Sequence, residues 1–384
     1  MIYLEEAATS KYTIIDDIIV DAITTAMRDS WMNPSSLYAT NVKEKINKCR
    51  NNISNFIGAK PEEIYFTSGS SESNNWAIRG WADANKHKNC LKRYLSIITT
   101  RIEHKSIIEA VKNMSSIADV FYCDVDNFGL INYEVLDEIL CYCDGRSILV
   151  SVHMANNEIG TLQNIEKISK LVHEYGGILH VDATQAFGHI PINVEELGID
   201  MMSCSGHKIS PVLKGIGFLY KKNNVDINPI IYGAQENGLR GGTENTYGII
   251  GLNKAIEYCD VSCDRISEIC SRRDYFIGLL ESKFGCKLNG DNWERLPNNI
   301  NVTFPQNITG ESLLYMLDMD NIKISVGSAC NAKSIKPSHV LKEIGLSDED
   351  AMKTVRFTIP DDITYEDINC TVNKIEKAIK LIEI

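Results

Sequence analysis

Ile178-Leu179-His180-Val181-Asp182-Ala183-Thr184-Gln185 and, further on, Met201-Met202-Ser203-Cys204-Ser205-Gly206-His207-Lys208 decide how this chain is read. Each opens as a short apolar, β-prone run and closes on polar residues. That pattern predicts strands over 178–181 and 201–204, with Asp182 and Lys208 delivered at or just past their carboxyl ends. Working outward, similar runs at 64–67, 94–99, 148–152 and 215–220 alternate with amphipathic stretches. Strands and helices in alternation imply an α/β fold, a mainly parallel sheet flanked by helices. In such sheets ligands gather at the carboxyl ends of the strands, where the polar residues fall.

Past a predicted long helix over 249–280, on which Cys259 and Cys263 would share a face, the pattern restarts. It gives strand 299–304, helix 311–317, strands 322–325 and 354–358, and a final helix. Thr364, with Asp367 three residues on, forms a capping-box-like start for that helix. Ile368, Val372, Ile375 and Ile379 would be its apolar face. We therefore expect a large domain over 15–258 and a smaller α+β domain made of 1–14 and 259–384.

At 384 residues the chain suits two domains, and 44% hydrophobic with 23% charged residues is ordinary for a globular protein. A formal net charge of -12 argues against general nucleic-acid binding, which needs a basic surface. Glu5, Glu6, Asp16 and Asp17 occupy the place where a secretory signal would be basic and then apolar. No apolar run approaches the ~20 residues that cross a bilayer. A cytoplasmic protein without membrane contact is the expectation. The 12 cysteines are scattered without paired zinc-knuckle spacing, so no metal site is expected and most read as small buried hydrophobes.

Three segments carry chemistry. Ser68-Gly69-Ser70-Ser71-Glu72 follows strand 64–67 and opens a helix, and small hydroxyl residues there present donors to an anion. A serine helix cap has the same appearance, so the segment alone leaves both readings open. Asp182 suits pairing with a protonated pyridine nitrogen, or equally the capping of a following helix. Lys208 is either a solvated lysine or, in a desolvated setting, one that bonds covalently to a carbonyl. Three such segments, each at a strand end, favour the chemical reading.

Together with other stretches they resemble the fold-type I pyridoxal-phosphate enzymes, specifically the cysteine desulfurases of the class V aminotransferase group. The matching stretches run nearly end to end. They are Ile2-Tyr3-Leu4, Ala7-Ala8-Thr9, Asn33-Pro34-Ser35-Ser36, 66–75, Glu103-His104, 156–163, 180–188, 205–208, Gly238-Leu239-Arg240, 242–245, Gly327-Ser328-Ala329-Cys330, 337–341 and Val355-Arg356-Phe357. The resemblance implies that Lys208 carries pyridoxal 5'-phosphate, Asp182 pairs with its ring nitrogen and Gln185 bonds its ring oxygen. It implies that His104 stacks on the ring and shuttles protons, and that Ser70, Ser71, Ser205 and His207 form the phosphate cup. Thr243 would reach the phosphate of a neighbouring subunit, implying a homodimer with shared active sites. Asn157, beside the cofactor, and Arg356 would hold the carboxylate of L-cysteine.

Cys330 lies among small and polar residues, a poor setting for a core cysteine. The resemblance makes it the nucleophile that takes sulfur from L-cysteine as a persulfide, releasing L-alanine, and passes it to an acceptor protein. Lys333 and Lys336 would favour its thiolate, or are simply solvated. The sequence runs to Ile384 without the tail that docks an iron–sulfur scaffold in some relatives. A dedicated acceptor, such as a tRNA- or DNA-thiolation protein, is therefore expected over iron–sulfur cluster assembly. Three features depart from the pattern. The loop Ile209-Ser210-Pro211-Val212-Leu213 is one residue longer than usual, Tyr38 replaces a common histidine, and Glu5-Glu6 replace an Asp-Asn pair. The alternatives are a selenocysteine lyase, a class V aminotransferase and a sulfur-carrier or assembly subunit without turnover.

Overall fold

The computed structural model describes residues 1–86, 95–326 and 337–382. Its strands are β1 (Ile2–Tyr3), β2 (Ile64–Thr67), β3 (Leu95–Thr100), β4 (Asp119–Cys123), β5 (Ser147–His153) and β6 (Ile178–Asp182). They continue with β7 (Met201–Ser205), β8 (Gly217–Lys221), β9 (Lys287–Leu288), β10 (Asn299–Thr303), β11 (Ile322–Lys323) and β12 (Thr354–Thr358).

A 7-stranded sheet runs in the order β2-β8-β7-β6-β5-β3-β4. Only β8 is antiparallel to its neighbours, β2 and β7. The other six strands therefore point the same way. Both faces are covered, which is why the strands read as nearly continuous apolar runs. Ile148, Val150, Val152, Met202, Phe218 and Tyr220 pack with Ile46, Ile53, Ile168 and Leu252 on one face. Leu149, Met201 and Leu219, one residue out of step, pack with Trp76, Trp81, Ile107 and Val111 on the other. Each such side chain contributes ~1.5–3 kcal/mol on burial, and a one-residue slip would exchange the two faces.

A second core gathers Phe276, Leu280, Ile300, Val302, Leu313, Leu317, Val355 and Phe357 with Leu4 of the amino-terminal arm. There β9, β10 and β12 form an antiparallel sheet, and β1 pairs in parallel with β11 through Ile2↔Ile322. The last helix, Tyr365–Ile382, buries Ile368, Val372, Ile375 and Ile379 in this core. Its start is the expected box: Asp367 N donates to Thr364 Oγ1 at 3.0 Å, and Thr364 N donates to Asp367 Oδ2 at 3.1 Å. No described helix is long and apolar enough to cross a membrane.

Two expectations are corrected. The helix predicted over 249–280 is two helices, Thr246–Glu257 and Cys263–Phe284. The break is an Asx turn in which Ser262 N donates to Asp260 Oδ1 at 2.8 Å, after which Ser262 caps the second helix. Cys259 falls in this break with its thiol on the Gly188 carbonyl, so it shares no helical face with exposed Cys263. The edge strand β4 was absent from the expected set, because four of its five residues are only partly buried and carry little apolar signal.

Candidate active site

Because six strands are co-directional, the carboxyl ends of β2, β3, β5, β6 and β7 open on one edge of the sheet. Strand order reverses at β3, with β4 on one side and β5 on the other. Loops leaving such a switch diverge and leave a crevice. The loop after β3 carries His104 and the loop after β5 carries Asn157, so both flank it.

At the β2 and β7 ends Ser70, Ser71, Ser205 and His207 line one open cavity of about 360 Å³, joined by Lys214. Ser70 begins a helical run that continues through a π turn at Trp76–Gly80 to Asn85, so its first backbone N–H groups face this cup without intrahelical partners. The close approach that builds the cup needs glycine twice. A Cβ on Gly217 would sit 2.7 Å from Gly69 Cα, and Gly69 itself has φ +145°. Ser205 Oγ lies 2.8 Å from His207 Nδ1. Burial, reinforced by Lys208 and Lys214, pushes His207 down to about 4, so it serves as a neutral hydrogen-bonding group at neutral pH.

Asp182 ends β6 with only 5% of its surface exposed. Thr184 N donates to its Oδ1 at 3.0 Å, with the Thr184 hydroxyl on the same oxygen, and Asn74 Nδ2 donates to Oδ2 at 2.7 Å. This turn places Asp182 as an acceptor aimed at the crevice end of the sheet. Lys208 Nζ donates to the carbonyls of Ala7 and Ala8 at 2.6 and 2.7 Å. Gln185 Nε2 shares the Ala7 carbonyl at 3.0 Å. The amino-terminal arm, tied to the second core by β1 and Leu4, thus passes directly over the lysine.

His104 caps the helix Lys105–Met114, its Nδ1 accepting from Ser106 N at 3.2 Å. It is exposed, yet the protein around it is dense enough to lower its pKa by desolvation, against the pull of Asp182. Arg356 reaches in from β12 of the second core. Its Nη1 donates to the Asn157 carbonyl at 2.8 Å and its Nη2 to Ser325 Oγ at 2.9 Å. Ser325 and Arg356 also exchange both backbone hydrogen bonds, at 2.8 and 3.1 Å. The Ser338 hydroxyl donates to Glu158, whose burial raises its pKa.

The sequence-predicted residues Ser70, Ser71, Ser205, His207, Lys208, Asp182, Gln185, His104, Asn157 and Arg356 thus fall at or beside one sheet edge. Thr243 does not line the cup of its own chain. It sits in a neighbouring cavity of about 150 Å³ with Arg240 and Glu244. Arg240 anchors that segment to the cup, donating from Nε to Glu72 Oε1 at 2.9 Å. Cys330, Lys333 and Lys336 lie outside the described residues. Sequence reasoning missed Asn74, Ser106, Thr184 and Lys214. Asn74 and Thr184 stood inside quoted motifs, but nothing in their spacing said where they would point.

The aminotransferase class-V family model matches residues 2–370. The chain belongs to this family. A cysteine desulfurase IscS of Dictyoglomus turgidum is 40% identical over 385 residues, 99% of this chain and 94% of that protein. A solved NifS-like protein is 31% identical and superimposes with a TM-score of 0.89 over 99% of each chain. A structure described as SspA in complex with cysteine is 34% identical, with a TM-score of 0.81 over 94% of this chain and 99% of that one.

Pyridoxal phosphate is the cofactor of this family, and the residues present fit it. The cup offers serine hydroxyls, free helix N–H groups and Lys214 to a phosphate, while a glycine pair keeps Cβ atoms out of the way. At the other end the buried Asp182 carboxylate is held by neutral donors only, which suits a protonated ring nitrogen. Among the described residues no cluster of His, Cys, Asp and Glu could hold a metal.

Proposed function

We propose that this chain is a pyridoxal-phosphate-dependent cysteine desulfurase that converts L-cysteine to L-alanine and moves the sulfur, through Cys330, to an acceptor protein. The observation that carries the reading is Arg356 of the second core reaching the Asn157 loop beside Lys208 and Asp182. A planar guanidinium there suits a substrate carboxylate next to the cofactor site. The full-length likeness to cysteine desulfurases supports the same substrate.

In this scheme pyridoxal phosphate, once bound, supplies the electron sink that makes the substrate Cα acidic. Ser70, Ser71, Ser205 and His207 hold the phosphate, Gln185 the ring oxygen and Asp182 the ring nitrogen. Arg356 and Asn157 orient the carboxylate so that Cα faces Lys208. Lys208 Nζ takes the Cα proton. The Cys330 thiolate would then attack the substrate sulfur, forming the S–S bond of a persulfide as the substrate Cβ–S bond breaks. The electron pair of that bond stays with the three-carbon skeleton, which is protonated and released as alanine. Thr243, outside its own cup, is assigned to the cup of a second subunit, which makes the active unit a homodimer. The large and small domains of the scheme are 15–258 and 1–14 with 259–384.

The test is alanine and sulfide production from L-cysteine by the holoenzyme. Equal turnover of a substrate lacking sulfur, with no loss on Cys330→Ser, would sink the reading in favour of an aminotransferase. Sedimentation of the wild type checks the dimer. Persulfide transfer to an iron–sulfur scaffold, compared with a thiolation enzyme, separates the two acceptor classes.

A further inference from the structure

A continuous line of hydrogen bonds joins Asp182 to His104 through two residues that the scheme above does not use. Asn74 is fully buried, and its Nδ2 donates both to Asp182 Oδ2 at 2.7 Å and to Ser106 Oγ at 2.9 Å. Ser106 Oγ in turn lies 2.8 Å from His104 Nδ1. The polarity of the line follows from counting hydrogens. A carboxylate can only accept, so Asn74 presents its nitrogen, not its oxygen, to Asp182. That nitrogen's second hydrogen goes to Ser106 Oγ, which leaves the serine's own hydrogen for His104 Nδ1. The Ser106 backbone N–H points at the same Nδ1 from 3.2 Å. Nδ1 is therefore an acceptor twice over, and the ring hydrogen sits on Nε2.

Asn74 Oδ1 is buried and finds no partner among the described residues. An unpaired buried acceptor is costly, so the amide stands here for its nitrogen.

We propose that Asn74 and Ser106 are positioning residues that fix the Asp182 carboxylate and hold His104 as a neutral imidazole with its hydrogen on Nε2. The proposal rests on the assignment of Asp182 and His104 to the cofactor site. Its consequence is a division of labour that replaces the proton shuttling the resemblance implies for His104. His104 presents a hydrogen-bond donor and a flat face, and it accepts no proton at Nε2. Proton transfer to and from the substrate carbon falls to Lys208. Protonating Nδ1 would set an imidazolium N–H against the Ser106 backbone N–H and turn the serine hydroxyl away. Around the ring, Asp182 and Glu103 favour the charged imidazole, while Lys208, His339 and burial oppose it. Removing the serine hydroxyl releases one restraint on the neutral side.

The experiment uses holoenzyme labelled with [15N]histidine, with His104 assigned by its loss in His104→Gln. In the wild type the expected result is one tautomer, Nδ1 unprotonated and Nε2 protonated, from about pH 6 to 9. In Ser106→Ala the His104 signals move toward a tautomer mixture and titrate ~1 unit higher. The acid limb of kcat moves with them, a ~10-fold loss at a pH just below the wild-type limb, while KM for cysteine stays within ~2-fold. Ser106→Thr keeps the hydroxyl and restores both readouts. Asn74→Asp sets a carboxyl against Asp182, and the pH titration of the cofactor band near ~420 nm shifts. A wild-type His104 with hydrogen on Nδ1 would overturn the proposal. So would a Ser106→Ala enzyme that loses activity with unchanged 15N shifts and pH profile, since that is the mark of a merely structural residue. Failure of the wild type to release alanine from L-cysteine would defeat the substrate reading instead, and the histidine signals would still decide this one.

Discussion

The lysine side and the arginine side of this site are built in different ways. Lys208, Asp182 and the serine cup all hang from one sheet whose two faces are packed, so they share a single rigid frame. Arg356 belongs to β12, in a separate core, and meets the first frame at the Asn157 carbonyl. Its neighbour Ser325 leads toward Cys330, and Ser338 returns the chain to Glu158. Cofactor chemistry needs fixed geometry, whereas sulfur must be picked up and carried away. In the proposed scheme the first task therefore falls to one core, and the binding and transfer of substrate to the other.

The sharpest way to break that comparison is Lys208→Ala. It should lower kcat by ~10³-fold or more and abolish the band near ~420 nm, measured by alanine release and absorbance. Activity surviving in this variant would remove the lysine from the centre of the sheet frame. Next comes Arg356→Leu. Losing charge-assisted hydrogen bonds of about 2 kcal/mol should raise KM for cysteine ~30-fold with a smaller change in kcat. The cofactor band should stay as in the wild type, because the arginine comes from the other core. A variant that instead lost its cofactor would show that the two sides are not separable.

A stability experiment probes the arm that joins them. Burial pushes Glu6 up to about 8, with the Lys11 backbone N–H its main opposing contact. The folded state therefore holds a proton that the unfolded chain releases above the ordinary glutamate pKa. Native stability should fall as pH rises from about 5 toward 8, by about 1–3 kcal/mol from this group, and level off beyond. Glu6→Gln should remove that slope in thermal melts while leaving the acid side unchanged. Parallel slopes in the two proteins would refute a buried protonated carboxyl. The smallest effect belongs to the second core alone. Thr364→Ala deletes the cap of the last helix and should cost about 1 kcal/mol in urea melts, without altering KM.

Much of this was legible from residues. Short apolar, β-prone runs at 64–67, 178–181, 201–204 and 354–358 marked strands because a sheet buried on both faces favours nearly continuous apolar sequence. The pair Thr364 and Asp367 marked a helix start because their side chains answer backbone groups only three residues away. Ser70, Asp182 and Lys208 stood out because their chemistry is local to strand ends. The break at 258–262 was hidden because the helical period runs through it, and an Asx turn is a matter of one side-chain rotation. The edge strand β4 was hidden because four of its five residues are only partly buried.

What the sequence by itself determined is therefore the sheet, its reactive edge and the chemical types gathered there. Only the tertiary structure decided which atoms face each other. The Ala7 carbonyl over Lys208 joins positions 201 residues apart, and Asn74 meets Asp182 across 108. Arg356 finds Asn157 across 199. Periodicity reports which side of an element is buried, but the direction of a hydrogen bond depends on where a distant chain segment ends up. That is why the tautomer proposed for His104 rests on a contact line through Asn74 that only the folded chain brings together.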